Sequence, residues 1–142
     1  MKTLLVSASL LVLTHGAYVV RTFADAAAYR NECVEQYQAQ GNSLIDYMRR
    51  LFLDEADDSH WCVVRCILLK SGLLLLNGGA RDVFQVENIH EQMQQSNAIV
   101  EDPDDIRSET ERCLREPARV NDACLRAYTF FSCIQGTEYD LF

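Results

Sequence analysis

Apolar residues recur along most of the chain at intervals of three and four, the period of an amphipathic helix. No stretch sustains the strict alternation of a half-buried strand. Thr22 to Gln40 makes a first helix with an alanine-rich start, stopped at Gly41. Ser43 caps a second through Ile45, Met48, Leu51 and Phe52, ahead of the acidic loop Asp54 to Asp58. Ser59 caps a third, from His60 to about Leu75, ended by Asn77-Gly78-Gly79. A fourth fits Asp82 to Gln95, with Val83, Val86, Ile89 and Met93 on one stripe. Asp102-Pro103 opens a fifth with a capping residue and a proline at the first helical position, continuing to Arg115. Asn121 caps a sixth, through Leu125, Tyr128 and Phe131 to about Gln135, where Gly136 ends it; Thr137 to Phe142 is a tail. The expected fold class is all-α, about six helices with short connections.

The first residues speak to compartment. Met1-Lys2 supplies a positive start, Leu4 to Leu13 is an apolar run broken only by Ser7, Ala8 and Ser9, and Thr14 and Gly16 offer a cleavage site. That is the layout of a secretory signal peptide. The run is about half of the ~20 residues a spanning helix needs, so a membrane anchor is the weaker reading. Residues 1–16 are expected to be removed, leaving 17–142 as one domain. A second small-x-small site at Ala24-Asp25-Ala26 allows a start as late as about residue 26. The best later apolar stretch, Ile67 to Leu76, is interrupted by Lys70, Ser71 and Gly72, so a soluble, secreted, extracellular protein is expected.

The formal charge is −8, and loss of Lys2 makes it one unit more negative. An acidic chain without a basic stripe is a poor partner for nucleic acid or an anionic membrane, whose binding rests on clustered Lys and Arg. No Asn-x-Ser/Thr triplet occurs, so N-glycosylation is not expected.

All 6 cysteines (Cys33, Cys62, Cys66, Cys113, Cys124 and Cys133) follow the leader. An even count in a secreted chain reads as a disulfide framework, with fifteen pairings open. Cys62 and Cys66 share one helix face, and Cys124 and Cys133 fall on opposite sides of theirs at ~100° per residue. Crossed links among at least three helices follow. A metal reading built on His60, Cys62 and Cys66 is the lesser one, because the remaining cysteines are too spread for paired zinc ligands. The acidic pairs near Asp54, Asp57 and Asp104 lack a calcium-loop pattern and sit where a helix dipole favours them. No metal or cofactor is expected.

The spacing Cys33-x28-Cys62-x3-Cys66-x46-Cys113-x10-Cys124-x8-Cys133 resembles the six-cysteine insect odorant-binding proteins, whose three- and eight-residue gaps it matches. His60-Trp61-Cys62-Val63-Val64-Arg65-Cys66, running on to Gly72-Leu73, is similar to that family's third helix. The gap of 46 is somewhat long, with the extra residues placed around Ser96 to Asp105. The resemblance implies helices around an apolar cavity, stapled by three interlocked disulfides: Cys33–Cys66, Cys62–Cys124 and Cys113–Cys133. These would close loops of about 20 to 60 residues, each contributing roughly 3–4 kcal/mol through the unfolded state.

The function so implied is reversible carriage of a small hydrophobic molecule, an odorant or pheromone, with affinity from apolar burial at about 25 cal/mol per Å². Expected ligand-binding residues are Tyr47, Met48, Phe52, Trp61, Leu73, Phe84, Met93, Phe130 and Phe142. A plain core role competes at each. Tyr139 to Phe142 would form a lid that acid loosens. An olfactory receptor or a second copy of the chain are further partners the resemblance admits. The same fold serving as a salivary or reproductive-fluid scavenger of amines or lipids is one alternative; a solid interaction protein without a cavity is another. No enzyme is expected, since no nucleophile motif is present and the cysteines are committed to disulfides.

Overall fold

A computed structural model describes residues 16–37, 58–77, 81–99 and 102–142. The described elements are α1 (Phe23–Tyr37), α2 (Asp58–Ser71), β1 (Leu74–Leu75), β2 (Val83–Phe84), α3 (Val86–Ser96), α4 (Pro103–Arg115), a 3-10 turn (Pro117–Arg119) and α5 (Ala123–Gln135). Helix dominates, as the periodicity requires. The expected second helix, with Tyr47, Met48 and Phe52, lies outside the described residues.

Local chemistry sets the helix ends. Thr22 Oγ1 accepts from the Asp25 N–H (3.1 Å) while the Asp25 carboxylate accepts from the Thr22 N–H (2.8 Å), a reciprocal cap at the start of α1. Asp102 accepts from the N–H groups of Asp104 and Asp105 (3.1 Å each), with Pro103 at the first helical position of α4.

Four sequence readings are corrected. The cap of α5 is Asp122, whose carboxylate accepts from the Leu125 N–H at 2.7 Å, and not Asn121. Helix α2 stops at Ser71 rather than near Leu75, because Gly72 turns left-handed (φ 78°). Gly72 N–H then donates to Leu69 O (3.2 Å) and Leu73 N–H to Leu68 O (3.0 Å), closing the end with Leu68 and Leu73 both fully buried. The freed chain forms a short antiparallel pair, Leu74 opposite Phe84 and Leu75 opposite Val83, where no strand was expected. Two residues per strand are too few for alternation to register in the sequence. Helix α3 accordingly begins at Val86 rather than Asp82, and of the four-residue apolar stripe only Ile89 and Met93 are buried.

The main core joins Val64 and Leu68 of α2, Leu73 and Leu74, Ile89 and Met93 of α3, Ile106 of α4, and Phe130 and Ile134 of α5. Tyr139 and Leu141 from the tail complete it. A smaller cluster of Cys33, Val34, Val63 and Cys66 fixes the second half of α1 on α2. Disulfides Cys33–Cys66, Cys62–Cys124 and Cys113–Cys133 join α1 to α2, α2 to α5 and α4 to α5. Asp82 adds a polar staple. It accepts from Arg65 Nε (2.6 Å) and Nη2 (3.0 Å), and the Arg65 guanidinium holds its carboxyl below the usual range.

Candidate functional site

The site begins with what α1 lacks. Its first two turns carry Ala24, Ala26, Ala27 and Ala28, and its buried residues, Cys33 and Val34, belong to its second half. Between Phe23 and Arg30, the first half therefore faces α2 and α5 with only the methyl groups of Ala26 and Ala27. The result is a cavity of about 430 Å³. Phe23, Ala26, Ala27 and Arg30, spaced along one face of α1, form one wall. Val64, Ile67 and Leu68 of α2 face them, and Phe131 and Ile134 of α5 close a third side. The tail from Thr137 to Phe142 supplies the last.

The tail is held by a dense set of hydrogen bonds. Gln92 of α3 is fully buried, and its Nε2 faces three acceptors: Arg21 O (2.9 Å), Ser96 Oγ (3.0 Å) and Leu141 O (3.0 Å). Its Oε1 accepts from the Tyr18 hydroxyl (2.9 Å) and the Arg21 N–H (2.8 Å). One amide thus ties the segment before α1 to the tail after α5. Asn97, just past α3, holds the tail as well, donating to Asp140 O (2.7 Å) and accepting from the Asp140 N–H (3.0 Å). The Tyr139 hydroxyl donates to the Asp105 carboxylate, which raises the phenol above its ordinary range, and burial pushes Tyr18 up to about 12. Both tyrosines stay protonated donors at physiological pH.

Of the residues expected at a ligand, Phe142 lines this cavity. Leu73, Met93 and Phe130 are fully buried in the main core, where Phe130 packs on Phe84 with ring centroids 5.0 Å apart. Trp61 lies beside Tyr128 (6.2 Å), its indole N–H without a hydrogen-bond partner among the described residues. Tyr47, Met48 and Phe52 lie outside the described residues. The sequence reading passed over Arg30, the alanines of α1, and Gln92. The run Ala26-Ala27-Ala28 in a helix start was the available signal for the alanines; a glutamine on a polar-looking stripe offers none.

Charged and polar groups elsewhere are mostly accounted for. His90 of α3 is buried with neither ring nitrogen hydrogen-bonded among the described residues. Burial, with nearby Arg107 in support, holds its pKa below the ordinary value. Among the described residues no group of three or more His, Cys, Asp or Glu is placed to hold a metal ion. No described helix is long and apolar enough to cross a membrane.

The geometry defines a class: a disulfide-stapled helical domain whose own tail walls an apolar cavity. The chain belongs to the PBP/GOBP family, whose model matches residues 16–137. It is similar to General odorant-binding protein 99b of Drosophila melanogaster, 28% identical over 124 residues, 87% of this chain and 79% of that protein. General odorant-binding protein 99a of the same species is 27% identical over 134 residues, 94% of this chain and 89% of that protein.

Proposed function

We propose that the protein is a secreted carrier that binds a small hydrophobic molecule reversibly in the cavity between α1, α2, α5 and the tail. The observation that carries this reading is the cavity itself, about 430 Å³ with mostly apolar walls in a family whose relatives here are named odorant-binding proteins. That volume falls within the range of small-molecule sites, about 300–1,000 Å³. Affinity would come from removing ligand surface from water against Val64, Leu68, Ile134 and Leu141. Three disulfides allow a small domain to keep this hollow, because they hold the frame without needing every gap packed.

Secretion belongs to the same reading, since persistent disulfides require an oxidising compartment. We place the mature start after Gly16. In support, Tyr18 and Arg21 are hydrogen-bonded into the fold through Gln92, whereas Ala24-Asp25-Ala26 lies inside α1. The test is displacement of an apolar fluorescent naphthylamine probe from the oxidised mature protein by a panel of odorants, fatty acids and amines. Saturable binding at micromolar probe, displaced by members of the panel, is the expected result. An oxidised, helical protein that takes up no probe would overturn the carrier reading.

A further inference from the structure

The cavity wall contains a charge that apolar ligand binding does not need. Arg30 sits one turn beyond Ala26 and Ala27 on the cavity face of α1. It is half-buried, its Nε is shielded from solvent, and among the described residues it has no hydrogen bond or ion pair. Several other arginines are engaged: Arg65 with Asp82, Arg112 with Glu109, Arg107 with Glu111, Arg81 with the carbonyls of Ala118 and Val120. Arg21 also has a buried, unbonded Nε, but Arg30 is the arginine that lines the cavity. A guanidinium nitrogen shielded from water, with no acceptor among the described residues, lacks the compensation that buried donors normally find.

We propose that the cavity takes an amphiphile with a carboxylate head, its head paired with Arg30 and its hydrocarbon laid over Ala26 and Ala27 against α2 and α5. This rests on the carrier reading and names its ligand class. A carboxylate offers the planar, two-oxygen acceptor that a guanidinium fork fits. The other charged side chains at the cavity are Glu138 and Asp140 of the tail, and both are exposed; the half-buried Phe142 brings its main-chain carboxylate to the same wall. Water screens an exposed carboxylate, whereas a pair formed at the half-buried Arg30 acts through an effective dielectric roughly fourfold lower. Arg30 therefore decides the sign of the head group, and the acidic rim does not.

The experiment compares decanoate, decanol, methyl decanoate and decylamine as competitors of the naphthylamine probe, on the oxidised protein and on Arg30→Met and Arg30→Lys. Methionine keeps an apolar stem and removes the charge; lysine keeps the charge. Decanoate should bind about tenfold more tightly than decanol or the ester. Arg30→Met should erase that difference by weakening decanoate far more than decanol, and Arg30→Lys should restore much of it. Equal affinity for decanoate and decanol, or tighter binding of decylamine, overturns the proposal while leaving the carrier reading intact. So does an Arg30→Met protein that loses decanoate and decanol alike, for then Arg30 only packs. Failure of the probe to bind at all sinks the carrier reading, and this proposal with it.

Discussion

Gln92 and Leu141, forty-nine residues apart, meet at 3.0 Å: the buried amide of one donates to the backbone oxygen of the other. The same amide faces Arg21, so a single side chain couples the chain before α1 to the tail that walls the cavity. Gln92→Leu keeps the volume and removes every one of these bonds. It strands the Arg21 N–H and leaves Leu141 O to Ser96 alone, and should cost about 2 kcal/mol in urea denaturation. Proteolysis of the tail should quicken in parallel. A stability within about 0.5 kcal/mol of the parent would show that water replaces the amide without loss.

The cavity exists because α1 presents methyl groups where other helices present leucine. Ala27→Leu should therefore occupy space that is empty rather than force the helix off its neighbours. The expectation is a stability within about 1 kcal/mol of the parent, with probe affinity reduced at least about fivefold. Calorimetry and probe titration read the two separately. Unaltered probe binding would place the ligand elsewhere.

Helix α1 is anchored at its far end by Cys33–Cys66, by Val34 and by the exposed Lys70–Glu32 pair. Replacing both cysteines by alanine should cost about 3 kcal/mol. Because this link holds α1 to α2 beside the cavity, ligand affinity should fall with it. Replacing Cys113 and Cys133 should cost a comparable amount and leave α1 in place. If both double variants lost affinity equally, the staple beside the cavity would have no special part in it.

His90 makes stability depend on pH. Its folded pKa lies below the ordinary 6.5, so the unfolded chain binds the proton more readily. Stability is then fully present above 6.5 and declines as the pH falls from there towards the folded pKa, below which the two states are again equally protonated. His90→Leu should flatten this decline. It should also be neutral or stabilising by about 1 kcal/mol at neutral pH, because it replaces two ring nitrogens that have no hydrogen bond among the described residues with carbon. Thermal unfolding scanned across that window checks both, and an unchanged decline in the variant would assign it to another group.

Much of this protein can be read from local order in the chain. Helical periodicity, the cap at Asp102, Pro103 and the stop at Gly136 need only neighbours within a turn or two, so the described helices were legible. So was the cysteine pattern, which carried the resemblance to a family the chain belongs to. Other features depend on residues that sequence distance keeps apart. Which of fifteen cysteine pairings forms depends on how α2 and α5 lie together. That Leu73 and Leu74 leave their helix for the core depends on Leu74 lying opposite Phe84 and on Leu73 O accepting from the Gln85 N–H. That Arg30 stands at a cavity without a partner among the described residues depends on how α1 lies against α2, α5 and the tail. Patterns of period 2 or 3.6 report which way a residue faces. They do not report what it meets there, and the cavity, its tail and the Gln92 bridge all consist of such meetings.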